Sequence, residues 1–370
     1  MIIAEHPGPT EDTRGELNTG TASNLLRQVL RKEGIDLDYD CVKMNAIACY
    51  PGKDETPTDA QIDWCRPMVW NKIKEMKPRL IILLGSSAIK SFLGHRWTKK
   101  LDGISLWRGW SIPDKEVSCW VCPTYHPSYI QHMDKNPAVE TIWVKDLRNA
   151  IAHLKKPLPK YTPEKECIRI YDEKELYGQL RKLVKSELSE IAIDFETTGL
   201  KPHNPEHAIV TCAIAESEDF CYAFNMPKEG KNLHLLKQVL ENEAISKIAA
   251  NLKFEHTWAE VKLGVTTRGW LHDTMLTAHL LDNRKFVTGL KFQAYVTFGV
   301  LPYDDHISPY LKGVDDGDGN SLNRIYEAPR RELLYYNALD SLYELRLAEV
   351  QRKKLIEQEM IAHAIRNKRR

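Results

Sequence analysis

The chain has 370 residues, a formal charge of +1, 42% hydrophobic and 28% charged residues, and eight cysteines. Its length exceeds the size at which single cores stop growing, so two domains are expected. The near-zero charge excludes a global basic field, and any nucleic-acid contact must rest on local patches. No stretch of about 18 apolar residues occurs and no signal peptide precedes the first strand-like segment. The expectation is therefore a cytoplasmic protein with no membrane partner, whose cysteines are free thiols or metal ligands and form no disulfide framework.

From Ile2 the chain reads as a strand, a turn at Pro7 and Gly8, a polar loop and the amphipathic helix SNLLRQVLRKEG. A second strand-like stretch, CVKMNAIAC, leads into DAQIDWCRPMVWNKIKEM, whose apolar residues recur at helical spacing. RLIILLG is a buried strand feeding the helix SSAIKSFLG, and SCWVCPTYHPSYI reads as a strand followed by a Pro-rich loop. Alternating strands and helices imply a mostly parallel sheet with functional loops at the carboxyl ends of its strands. Glu5, Asn45 and His126 fall at such ends.

Basic residues gather at Arg96, Lys99 and Lys100 and again at Arg366, Lys368, Arg369 and Arg370. Either group can meet phosphates or be a solvated face, and the second reads better as a frayed tail. In IAHLKKPLPKYTPEKE, Pro157, Pro159 and Pro163 interrupt a lysine-rich run, which favours an extended connector. The expected division is 1–157, a linker 158–165, and 166–370.

Three short stretches of the second half carry the chemistry. IAIDFETTGL reads as a buried strand ending in a turn, and period-two alternation puts Asp194 and Glu196 on one face. IAANLKFEHTW supplies Glu255, and YYNALDSLYEL places Tyr336 and Asp340 four residues apart on one side of a helix. Carboxylates repel in one pocket unless a cation balances them, so four converging acids predict bound metal. Hard divalent ions take oxygen ligands, and a pair roughly 4 Å apart can activate a water and stabilise the leaving oxygen of a phosphodiester. Asp194 is the natural bridging carboxylate. Asp273, in HDTML, is expected to brace the site from behind.

These residues resemble the DEDD exonucleases of the tyrosine subclass, the proofreading fold attached to family A DNA polymerases. The likeness covers roughly residues 166–352 and includes the segments HDTMLTAHLLD and GLKFQAYVTFGV. It implies that Asp194, Glu196 and Asp340 hold two Mg²⁺ or Mn²⁺ ions, that Glu255 acts at the second ion through water, and that Tyr336 orients the attacking water. Glu255 stands where the family usually has aspartate. A longer arm still reaches a water-bridged ion, so slower or altered cleavage is expected.

AEHPGPTEDTRG, MNAIACYPGKDETPTDAQIDWCRP, RLIILLGSSA and TYHPSY resemble the uracil-DNA glycosylase superfamily, nearest its iron-sulfur branch, across roughly residues 1–154. The resemblance implies a pocket holding Glu5, Asn45, His126 and Ser128. There Asn45 reads the uracil edge, His126 stabilises the departing uracil anion, and Glu5 activates water if the domain is active. Tyr129 and Ile130 would wedge into the duplex. Asn18 replaces the usual stacking phenylalanine, and Ala48 and Tyr50 replace basic residues. Cys49 and Cys65 match the second pair of cluster ligands only, and such clusters take four cysteines. Either the cluster is absent or an amino-terminal segment is missing. Cys119 and Cys122 form a CxxC, but alternation turns them to opposite faces, which favours free thiols. Cys41, Cys167, Cys212 and Cys221 read as packing residues.

The expected architecture is two tandem α/β domains, a uracil-DNA glycosylase-like parallel sheet sandwich and a ribonuclease H-like 3′-5′ exonuclease fold. The pairing resembles the amino-terminal portion of bacteriophage family A DNA polymerases. It implies release of nucleoside 5′-monophosphates from single-stranded DNA 3′ ends, a DNA polymerase as partner and a host-cell cytoplasm. The alternatives are an active uracil-DNA glycosylase, a non-catalytic polymerase accessory subunit, or a ribonuclease D-like action on RNA.

Overall fold

The computed structural model describes all residues except 18, 53–54, 134–135, 187–189, 314–320 and 369–370, and omits the side chains of 361–368. Asn18 and the side chains of the basic run Arg366 to Arg370 therefore lie outside the described residues. The chain divides into two compact units, Met1–Lys160 with Tyr295–Pro302, and Tyr161–Ala294 with Tyr303–Arg370. Residues 157–163 carry no regular structure, and a helical turn begins at Glu164.

In the first unit β1 (Ile2–Ala4), β2 (Lys43–Asn45), β3 (Leu80–Leu84), β4 (Ile112–Asp114) and β5 (Cys119–Thr124) form a sheet of order β2-β1-β3-β5-β4. All neighbours run parallel except β4, which is antiparallel to β5. The continuous apolar run of β3 is buried along its whole length, as a central parallel strand must be. Helices Thr21–Lys32 and Pro137–Ala152 seat Leu26, Leu30, Trp143 and Leu147 against Ile2, Leu80 and Ile82.

Three expectations change here. The segment after β5 is a helix, Pro127–His132, because Pro127 at its first position is pre-set for helical φ and His126 caps it. Ile130 is consequently 2% exposed in the core and has no side chain to offer a duplex. Arg96 is also withdrawn from any phosphate. Its guanidinium lies 3.1 Å from Asp114, 3.0 Å from Glu116 and 4.7 Å above the Trp70 ring, with 5% of the side chain exposed. Strand β4, which supplies Asp114, gives a weak sequence signal because Pro113 interrupts it, a residue tolerated on edge strands.

In the second unit β6 (Ile168–Ile170), β7 (Glu190–Thr197), β8 (Ile209–Ser217), β9 (Phe220–Asn225), β10 (Ser246–Ala249) and β11 (Trp270–Asp273) have the order β11-β10-β7-β8-β9-β6. β7, β8 and β9 form an antiparallel meander, while β10 and β11 continue parallel to β7. One face of β7 directs Ile191, Ile193 and Phe195 into a core with Leu176, Leu180 and Leu183 of helix Glu173–Lys185 and Leu236, Val239 and Leu240 of helix Gly230–Glu241.

The other face belongs to Ala192, Asp194 and Glu196, paired in register with Ala215, Ala213 and Thr211 of β8. Small residues continue onto β9 at Ala223, opposite Ala213. The 39-residue helix Arg330–Lys368 lies on this alanine-rich surface, and the Cys221 thiol beside it reaches the Ala338 carbonyl. Small side chains let the helix come close, which places its Tyr336 and Asp340 beside the acids of β7.

Candidate active site

β7 presents Asp194 and Glu196, and the long helix presents Tyr336 and Asp340. One carboxylate oxygen from each of Asp194, Glu196 and Asp340 lies within 4.8 Å of the others. They line a cavity of about 360 Å³ whose wall also includes Asn251, Glu255 and Tyr336. Glu255 is not one of the close trio. It rises from the first turn of helix Leu252–Trp258, is 3% exposed, and its Oε2 has no hydrogen-bond partner.

The position of Glu255 is set by the corner before its helix. Asn251 is left-handed there, at φ 64°. Three successive amides of the corner are held by two distant acids. Ala250 donates to Glu344 at 2.9 Å, and Asn251 and Leu252 donate to Asp273 at 3.1 and 3.0 Å. Asp273 also accepts from Met275 and Leu276, capping helix Thr274–Leu281.

Further side chains complete the site. Lys291, on helix Leu290–Phe298, donates to the Tyr336 hydroxyl at 2.8 Å and to Asp340 Oδ2. Tyr303 donates to Asp340 Oδ1 at 2.6 Å, and Asn337 donates to the Asp194 backbone carbonyl at 3.2 Å and to its carboxylate at 2.5 Å. Lys291 and Tyr303 come from segments with no acidic motif. Glu344 had a legible signal, since it follows Asp340 by four residues.

Burial, then Asp340, pushes the Asp194 carboxyl up to about 7. Burial, then Asp194, pushes Glu196 and Glu255 well above the usual carboxylate range, and Glu344 follows for the same two reasons. Burial works to lower Lys291, yet Asp340, Glu196 and Asp194 outweigh it and raise the ammonium. Crowded, dehydrated carboxylates with an unpartnered Glu255 oxygen form a hard-oxygen donor set short of positive charge. That chemistry fits divalent metal.

In the first unit Asn45 ends β2, is 6% exposed, and its Nδ2 has no partner. Glu5 is already engaged, accepting the Ser87 amide at 3.0 Å at the start of helix Ser86–Leu93. Gly85 makes this approach possible, because a Cβ there would come within 2.5 Å of the Glu5 carboxyl carbon. His126 Nδ1 accepts the Ser128 amide at 3.3 Å and lies 2.6 Å from the Ser128 hydroxyl. Burial lowers its pKa, which favours a neutral ring with the proton assigned to Nε2. Tyr129 stays at the surface, its ring 4.9 Å from that of Tyr125. Cys49 is exposed, Cys65 half-buried, and neither is bonded. Cys119 and Cys122 are buried thiols pushed up to about 12, by dehydration first.

Residues 1–148 match the uracil DNA glycosylase superfamily and residues 167–356 match the 3′-5′ exonuclease family of polymerase type. The type-4 uracil-DNA glycosylase of Pyrobaculum aerophilum is 31% identical over 150 residues, 40% of this chain and 74% of its own. That of Thermotoga maritima is 31% identical over 156 residues, 42% and 78% of the two chains. A DNA polymerase of Bacillus phage SP01 is 24% identical over 353 residues, covering 86% of this chain and 36% of its own. Among solved structures, Brucella melitensis NrnC with bound Mg²⁺ covers 54% of this chain and 86% of its own at 20% identity and a TM-score of 0.38. Escherichia coli RNase D covers 57% and 49% at 14% identity, also with a TM-score of 0.38.

Fold and family together define a 3′-5′ exonuclease joined to a glycosylase-type domain. The chain belongs to the uracil DNA glycosylase superfamily through its first part and to the 3′-5′ exonuclease family through its second. It spans about a third of the length of the phage polymerase it matches. No helix among the described residues is long and apolar enough to cross a membrane.

Proposed function

We propose that the chain removes nucleotides one at a time from single-stranded DNA 3′ ends, as the proofreading part or partner of a family A-type DNA polymerase. The observation that carries this reading is the convergence of Asp194, Glu196 and Asp340 within 4.8 Å beside Tyr336. The likeness to a phage DNA polymerase across 86% of the chain supports DNA over RNA as the substrate.

Asp194, Glu196 and Asp340 would hold two Mg²⁺ or Mn²⁺ ions, with Glu255 acting through water. Such ions, when bound, lower the pKa of a water and offset charge on the phosphate. The remaining work is done by the chain. Burial, then Asp340, keeps the Tyr336 phenol well above its usual pKa, so it stays a neutral hydroxyl able to orient a water. Asn337 fixes one Asp194 oxygen, and the Glu344 and Asp273 contacts fix the start of the Glu255 helix. Unpaired nucleotides reach such a site more readily than duplex, so frayed or mispaired ends are the preferred substrate.

For the first unit we propose a DNA-binding role. A second reading, uracil excision, is favoured by one observation, the buried and unpartnered Asn45 amide at the strand end where a base edge would be read. A gel of 5′-labelled DNA with one internal uracil, run with and without Mg²⁺ and beside an RNA of the same sequence, tests all three. Laddering from the 3′ end of DNA supports the main reading, and an alkali-labile internal break supports the second. Neither product, with a polymerase retained on immobilised protein, supports an accessory subunit.

A further inference from the structure

Lys291 places an ammonium among the carboxylates. Its side chain is 18% exposed, Nζ lies 2.8 Å from the Tyr336 hydroxyl and contacts Asp340 Oδ2, and it stands 4.6 Å from the Tyr336 ring centroid. The second Asp340 oxygen is taken by the Tyr303 hydroxyl at 2.6 Å. Both oxygens of this metal-ligand candidate are therefore already engaged by donors of the chain.

An ammonium has three donors and no acceptor. When it donates to the Tyr336 oxygen, it occupies a lone pair there and leaves the phenolic hydrogen to point elsewhere, into the cavity that the same ring lines. Its charge also offsets part of what Asp194, Glu196 and Asp340 accumulate, as a divalent ion would. The two consequences oppose one another. Without Lys291 the hydroxyl loses its aim, whereas the carboxylates become more negative and more attractive to metal.

We propose that Lys291 is a positioning residue of the exonuclease site, aiming the Tyr336 hydroxyl while acting as a resident cation on Asp340 that weakens metal binding. This rests on the nuclease reading above. A residue that only supported the fold would, on removal, weaken metal binding and catalysis together. Lys291 should separate them.

The test is Lys291→Met, of similar length and uncharged, compared with the parent by Mn²⁺ titration followed by electron paramagnetic resonance and by single-stranded DNA hydrolysis at saturating metal. Metal affinity should rise about tenfold as the compensating charge is lost. The turnover rate should fall about ten- to a hundredfold with KM changed less than about threefold. In a Tyr336→Phe background, Lys291→Met should lower the rate by no more than about twofold further, because the hydroxyl it aims is gone.

Unchanged or weaker Mn²⁺ binding in Lys291→Met, or rate losses that multiply fully with Tyr336→Phe, overturns the inference. Should the methionine variant fail to fold, Lys291→Arg decides instead. It keeps the charge but not the compact donor geometry, so metal affinity should stay at the parental value while the rate falls. A parental rate in Lys291→Arg, or a changed affinity, overturns the inference equally. An Asp194→Ala, Glu196→Ala control separates the two levels. If that control retains parental activity, the nuclease reading itself fails; if it is inactive while Lys291→Met matches the parent in rate and affinity, only the Lys291 inference fails.

Discussion

Glu344 accepts the Ala250 amide at 2.9 Å, joining the helix that carries Asp340 to the corner from which the Glu255 helix begins. Ala250 lies in the stretch that carries Glu255 and Glu344 in the stretch that carries Asp340, and between them they fix the distance between the two. Glu344→Ala leaves a buried N–H unsatisfied, at about 1–3 kcal/mol, and frees the corner to shift. We expect a lower melting temperature and a loss of about tenfold or more in exonuclease rate. Glu344→Gln keeps an acceptor and removes a buried acid, so it should melt no lower than the parent. Thermal melts and initial rates on labelled oligonucleotide check both.

Without metal, the crowding of acids makes stability depend on pH. The Asp194 carboxyl is raised to about 7, by burial and then Asp340. A carboxyl raised in the folded state contributes stability that is fully present below its unfolded pKa and lost as pH rises through the folded value. The metal-free protein should therefore melt progressively lower between about pH 5 and pH 8. Mg²⁺, binding the folded form, should restore the high-pH melting temperature. Asp194→Asn should flatten the dependence, and a metal-free melting temperature that rises over this interval would count against the assignment.

Arg96 should matter to stability and not to DNA. Its ion pair with Asp114 has 5% of each side chain exposed, and removing one partner of such a pair costs about 3–5 kcal/mol. Arg96→Met should lower the unfolding transition of the first unit in calorimetry. The slope of DNA affinity against salt should be unchanged at temperatures where the variant is folded, since no phosphate is lost.

Uracil-containing duplex should be bound by this chain without conversion to an abasic product. Glu5 Oε1 is taken by the Ser87 amide, which leaves a single carboxylate oxygen to face a water. Uracil release that disappears in His126→Ala would instead establish the excision reading.

Much of this site is written in short-range pattern. Alternation along β7 placed Asp194 and Glu196 together, and helical spacing placed Tyr336 with Asp340. What the pattern does not carry is pairing at long range. Lys291 meets Asp340 from 49 residues away, and Asn337 meets Asp194 across 143. Nothing local distinguishes that lysine from a solvated one. In the first unit Pro127 makes HPSY look like loop and Ile130 like an exposed wedge, although the same proline opens the helix Pro127–His132. Arg96 sat beside Lys99 and Lys100 in sequence, but only the fold reveals that Asp114 and Trp70 enclose it.

Asp194, Glu196 and Asp340 should act as one metal-dependent hydrolytic centre. The most direct measurement is the initial rate of nucleotide release from a 5′-labelled single strand with Mg²⁺, for the parent and for Asp194→Ala, Glu196→Ala. The parent should ladder the strand from its 3′ end, chelator should abolish this, and the double variant should lose about a thousandfold or more. Parental rates in a double variant that remains folded would contradict it.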